Sequence, residues 1–139
     1  MELFTRKCVV SNQSQITLGA LIKCIRDAGL NSDSDKKKTI TFDFAYSVPG
    51  LLHSWRGDYK ELSIHPSFDT EIEVYAEDFL KVLESAVGEY FTGYKGGEFY
   101  MSNDTPLWVS KTDMSGNTAV IGVYDEGYNI VILTGYCEY

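Results

Sequence analysis

The spacing of apolar residues switches between two periods along this chain, so the fold must combine helices with strands. Leu18, Leu21, Ile22, Ile25 and Ala28 recur at i, i+3, i+4, i+7 and i+10, which is one face of a helix. Thr17 supplies an N-cap hydroxyl, Lys23 and Arg26 suit the negative end of the helix dipole, and Gly29 follows as the stop. The pattern predicts a helix over 18–28. Phe79, Leu80, Leu83, Ala86 and Val87 repeat it, with Glu77 and Asp78 in the first turn and Gly88 after the end. A second helix is predicted over 75–87, without a clear N-cap.

Elsewhere the period shortens. In Thr39–Phe44, Ile40, Phe42 and Phe44 alternate with polar residues, as in a half-buried strand. Val48-Pro49-Gly50 reads as a turn, and Glu61–Ile64 as a strand ended by Pro66. Further strands are expected within residues 1–10, at 98–101, 107–109, 118–124 and 130–133, with turns at 103–106, 113–117 and 125–127. The unbroken apolar run Ile130–Leu133 predicts a strand buried on both sides. This order implies one α+β domain over residues 1–139: two helices packed on a mainly antiparallel sheet, with a C-terminal β-meander.

Charge narrows the function. Twelve Lys and Arg against 20 Asp and Glu give a net charge of −8, which argues against direct duplex DNA binding. Such a balance leaves room for a local cationic pocket, or for an acidic face that meets a basic protein. Lys36-Lys37-Lys38 follow two aspartates and read as a solvated loop. Asp69, Glu71, Glu73, Glu77, Asp78 and Glu84 could imitate a phosphate ladder, but Lys81 and apolar residues interrupt them, and a solvated face is expected. Tyr128, Tyr136 and Tyr139 give the end of the chain an aromatic character common at interfaces. No apolar run reaches the ~18–20 residues of a membrane span, and the first residues lack a signal pattern, so a cytoplasmic protein is expected.

Catalytic and metal signatures are missing. Cys8, Cys24 and Cys137 are odd in number and scattered, and are expected to be reduced. His53 and His65 have no partner at metal-ligand spacing. No metal or cofactor is expected.

Two segments place a cation beside an aromatic residue and a glycine: Ser54-Trp55-Arg56-Gly57-Asp58-Tyr59 and Thr92-Gly93-Tyr94-Lys95-Gly96-Gly97. A guanidinium grips phosphate or carboxylate through two parallel bonds, and a tryptophan offers a flat stacking face. Glycines in the second segment let N–H groups converge on an anion beside Lys95. Trp108 follows closely enough to complete a pocket wall. A structural reading stands beside this one: Trp55 in the core, Arg56 paired with Asp43 or Asp58, and the glycines serving a turn.

Those two segments, with Phe42-Asp43-Phe44 and Thr105-Pro106-Leu107-Trp108-Val109, resemble a family of small bacteriophage accessory proteins with no assigned activity. The likeness spans roughly residues 17–134. It implies a phage protein acting against host defence in an infected bacterial cytoplasm, and carries over no residue roles. Three readings follow. The first is a non-catalytic, homo-oligomeric protein that sequesters an anionic nucleotide-like signal through Trp55, Arg56, Tyr59, Tyr94, Lys95 and Trp108. The second is an acidic inhibitor of a host defence protein, with DNA mimicry as one form. The third is a small nucleotide-signal hydrolase using His53 with Asp58 or Asp43.

Overall fold

The computed structural model describes residues 14–30, 37–93, 95–110 and 117–138. The strand expected within residues 1–10, most of the loop from Asn31 to Lys38, and nearly all of the 113–117 turn lie outside the described residues.

Both helices form where their apolar period places them. In α1 (Leu18–Ala28), the Thr17 hydroxyl accepts a bond from the Ala20 N–H at 3.2 Å, and the Gly29 N–H returns to the Arg26 carbonyl at 3.1 Å. Helix α2 (Ala76–Ala86) starts at Tyr75, whose side chain makes no capping bond. Tertiary contacts serve instead: the Ala76 N–H donates to the Lys38 carbonyl at 2.9 Å, and Tyr75 bridges to Thr39.

The strands are β1 (Thr39–Phe42), β2 (Val48–Trp55), β3 (Asp58–Ser67), β4 (Tyr90–Thr92), β5 (Glu98–Tyr100), β6 (Leu107–Val109), β7 (Thr118–Asp125) and β8 (Asn129–Tyr136). Six of them form one sheet in the order β1-β8-β7-β6-β3-β2, while β4 and β5 make a separate hairpin. The architecture is α+β. The sheet is mixed, because β1–β8 and β3–β6 run parallel and the other pairings antiparallel. Its two ends, β1 and β2, approach each other, so the sheet is nearly closed and barrel-like.

Alternation decides what the sheet buries. Ile40, Phe42, Leu62, Ile64, Leu107, Val109, Val120, Ile130 and Ile132 join Leu18, Leu21 and Ile25 of α1 and Phe79, Leu80 and Leu83 of α2 in one core. Fully burying each such side chain contributes about 1.5–3 kcal/mol. Along β8, Ile130 and Ile132 are buried while Val131 and Leu133 are partly exposed, so this strand alternates where two-sided burial was expected.

Four further expectations are corrected. Val48-Pro49-Gly50 opens β2, and β3 runs through Pro66 to Ser67. The two prolines sit opposite each other, and β2 is the last strand of the sheet, where a missing N–H is tolerated. Lys38 is buried, not solvated: its ammonium donates to the Ala28 carbonyl at 2.8 Å and to both Asp125 carboxylate oxygens at 2.9 and 3.0 Å. An aliphatic stem can be buried when the charge at its end meets an oxygen cluster. Cys24 is free, but Cys137 is disulfide-bonded, where all three cysteines were expected to be reduced. Spacing does not reveal cysteines that meet only in space. No helix among the described residues is long and apolar enough to cross a membrane.

Candidate functional site

The first predicted segment is the tip of the β2–β3 hairpin. Trp55 pairs with Asp58, which leaves Arg56 and Gly57 as the turn. Gly57 is required by crowding: a Cβ there would stand 2.6 Å from two carbons of the Trp55 ring. The second segment is the turn of the β4–β5 hairpin, where Gly96 and Gly97 take φ of 95° and 81°. Tyr94 lies outside the described residues.

The two turns are neighbours. The Ser54 hydroxyl donates to the Thr92 carbonyl at 3.2 Å. Tyr59 and Phe99 have ring centroids 5.4 Å apart, and a Cβ on Gly93 would meet Phe99 at 2.7 Å and Tyr59 at 3.0 Å. Arg56 and Lys95 are exposed at these turns, and Tyr59 is half-buried.

The tryptophans do something else. Trp55 and Trp108 stack on each other, with centroids 3.9 Å apart and planes 6° from parallel. With Ala119 and Cys137 they form a second buried cluster, in which Trp55 is 7% and Trp108 0% exposed. The Trp108 indole N–H donates to Glu61 Oε1 at 2.6 Å. Neither ring is left as a platform for a base, so the structural reading holds for this pair.

Beside the β2–β3 turn lies a recess of about 330 Å³, lined in part by Asp58, Lys60, Glu61, Tyr100 and Asp104. Its lining includes the acids Asp58, Glu61 and Asp104 beside Lys60, with Glu61 already bonded to the Trp108 indole, where the sequence led to the expectation of a cationic recess.

His53 lies on β2, in the strand that leads to the first turn. Its Nε2 bonds to the Ser110 hydroxyl at 2.6 Å, and Ser110 in turn bonds to Ser63. Asp43 accepts from the Thr134 N–H at 2.9 Å and the Thr134 hydroxyl at 2.6 Å, and Asp58 accepts from the Lys60 N–H at 3.0 Å. Partial burial pushes the His53 pKa below the usual imidazole value, helped by the positive charge of His65, whose ring lies 5.8 Å away. Among the described residues no group of three His, Cys, Asp or Glu converges to hold a metal ion.

Two of the six acids between Asp69 and Glu84 meet cations. Glu84 pairs with Arg26, and Glu77 pairs with Lys37 at 3.2 Å. What the sequence reading missed is the pair Tyr90 and Tyr100, directly opposite each other on β4 and β5. Reading the 93–97 glycines as a hairpin turn would have brought the two rings together. No protein family, curated protein or solved structure matches this chain.

Proposed function

We propose that this chain is a non-catalytic binding protein that blocks another protein through its acidic hairpin end. One observation carries this reading: a recess beside the β2–β3 turn is lined in part by Asp58, Lys60, Glu61 and Asp104, in a chain of net charge −8. Complementary charge speeds encounter and selects a basic partner. In the phage setting that the resemblance implies, the partner is a host defence protein, and binding alone suffices to inhibit it. A homo-oligomer is not required. A cytoplasmic site of action fits that setting, while the disulfide at Cys137 favours a compartment where such bonds persist. DNA mimicry loses support from the ion pairs at Glu77 and Glu84.

Capture of a nucleotide-like anion is the second reading. It keeps the exposed Arg56 and Lys95 on neighbouring turns, but the stacked tryptophans take away its base platform.

The test pairs two measurements on the full chain. Affinity isolation from bacterial lysate is expected to retain one protein reproducibly, released by salt and not retained by Asp104→Lys. Calorimetry with cyclic dinucleotides and ADP-ribose is expected to give no heat. Heat that disappears on Arg56→Ala, with no salt-sensitive protein retained, would replace the first reading by the second.

A further inference from the structure

The chain has two histidines, and the fold brings them together. On β2, His53 pairs with Ser63 of β3, and His65 stands two residues further along β3. Alternation puts Ser63 and His65 on one face, so the two imidazoles are diagonal neighbours across the strand pair. Their ring centroids are 5.8 Å apart and their planes meet at 81°. Both histidines are exposed. Behind His53 stands a short polar chain. Its Nε2 bonds to the Ser110 hydroxyl at 2.6 Å, and Ser110 meets the hydroxyl of Ser63, which is 1% exposed. Ser110 is itself held by its N–H, which donates to the Ile64 carbonyl at 3.0 Å. One ring nitrogen of His53 is therefore anchored to a fixed part of the sheet.

We propose that His53 and His65 form a two-histidine site for a divalent transition-metal ion such as Zn²⁺, with water in the remaining positions. Imidazole nitrogen suits zinc, copper and nickel, whereas magnesium and calcium take oxygen ligands. Zn–N bonds of about 2.0–2.1 Å put two ring centroids on one ion roughly 5 Å apart, close to the 5.8 Å seen here. Rotation of the exposed His65 side chain closes the remainder. Donation of the His53 Nε2–H to Ser110, which passes its own proton to Ser63, leaves the lone pair on Nδ1 to bind the ion. A ligand histidine held through its other nitrogen is the usual arrangement at metal sites, and Ser110 and Ser63 supply it here. Among the described residues no third His, Cys, Asp or Glu joins the pair, so the ion keeps open positions. The inference goes beyond the protein-binding reading above: two imidazoles carry it, and the acidic recess does not enter.

Zinc titration of the tag-free full chain, read from the imidazole ¹⁵N signals, tests this. The chain holds only these two histidines, so one Gln variant assigns both signals. Both rings are expected to shift together and to saturate at one ion per chain, with His53 bound through Nδ1. Mg²⁺ is expected to leave them unmoved. Competition with a chromophoric chelator is expected to show at least tenfold weaker binding for His53→Gln and for His65→Gln. Ser110→Ala keeps both ligands but frees the His53 ring, for a loss of about tenfold. Amide dispersion shows whether each variant folds, and should one unfold, the ring signals of the wild type still decide. The Cys24 thiol and surface carboxylates also attract zinc, so the rings and not the stoichiometry locate the ion. A shift of one ring only, undiminished affinity in His65→Gln, or rings that stay unmoved by zinc would each overturn the proposal.

Discussion

Under its helices, the six-stranded sheet buries Leu62, Ile64, Leu107, Val109, Ile130 and Ile132 against α1 and α2. A second cluster of the same sheet buries Trp55 of β2, Trp108 of β6 and Ala119 of β7 with Cys137, just past β8. The first region is aliphatic and non-directional, and any residue of suitable size serves it. The second is held by geometry: two rings 3.9 Å apart, an indole N–H on a carboxylate, and a glycine that leaves room for a ring. One sheet thus carries two cores of different tolerance. The tryptophans that looked like a ligand platform belong to the less tolerant one.

The largest expected effect measures whether the second cluster is truly a core. Trp108→Ala should destabilise by about 4 kcal/mol and Leu83→Ala by about 3 kcal/mol, read from urea unfolding of both variants. A loss below about 1 kcal/mol for Trp108→Ala would make the aromatic cluster a surface feature and return its rings to the ligand argument. Trp108→Phe separates the terms: it keeps a stacked ring but removes the donor to Glu61, for a loss of about 1–3 kcal/mol.

Next in size is Gly57→Ala. A Cβ there meets the Trp55 ring at 2.6 Å, and that ring is already pinned against Trp108, so it has no easy retreat. Overpacking of this kind costs about 2 kcal/mol. Near-ultraviolet tryptophan signals from the stacked pair should change together with stability. An unchanged near-ultraviolet dichroism spectrum would show that the pair is looser than its geometry implies.

These two cores also explain what the sequence could and could not disclose. Periodicity carries burial, so Leu18 to Ala28 and Phe79 to Val87 declared their helices, and Ile40 and Phe42 their strand. It does not carry pairing. Nothing local says that β1 lies beside β8, 90 residues away, or that Pro49 and Pro66 share a strand pair at the sheet's end. Site residues fared likewise. Adjacency of the two turns follows from their shared aromatic neighbours Tyr59 and Phe99, and the sequence signalled it through the glycines. The acids that line the recess did not show, because Glu61 and Asp104 come from segments that appeared ordinary. A tryptophan is the same letter whether its ring faces a ligand or another tryptophan.

Polar anchors hold the helix-side core at its rim, and they predict a smaller loss. Lys38 ties the end of α1 to the end of β7 through the Ala28 carbonyl and Asp125. Asp125→Asn should cost about 2 kcal/mol, since a buried ammonium then keeps only neutral acceptors. Hydrogen bonds from Lys38, and then from the Gly127 N–H, hold the Asp125 pKa below the usual carboxylate value. Its contribution is therefore present above about pH 3.9 and is lost as pH falls through the lower folded value. Acid unfolding of wild type and Asp125→Asn should converge in that window. Parallel curves would mean that the pair adds nothing to the rim.

The smallest effect belongs to the outer face, where His53 sits beside Ser110. Burial, then the charge of His65, lowers the His53 pKa in the folded chain, so the unfolded chain binds more protons just below neutrality. Stability is then full above about pH 6.5, falls as pH drops from there to the folded value, and levels off beneath it. His53→Gln keeps a side chain able to hydrogen-bond Ser110 while removing the titration. Its unfolding free energy should lose the wild-type slope across that interval, with a difference below about 1 kcal/mol at pH 7. If the slope survives in His53→Gln, another group carries it. The ring of His53 would then be an ordinary exposed imidazole, and the outer face would owe its tolerance limits to the tryptophans alone.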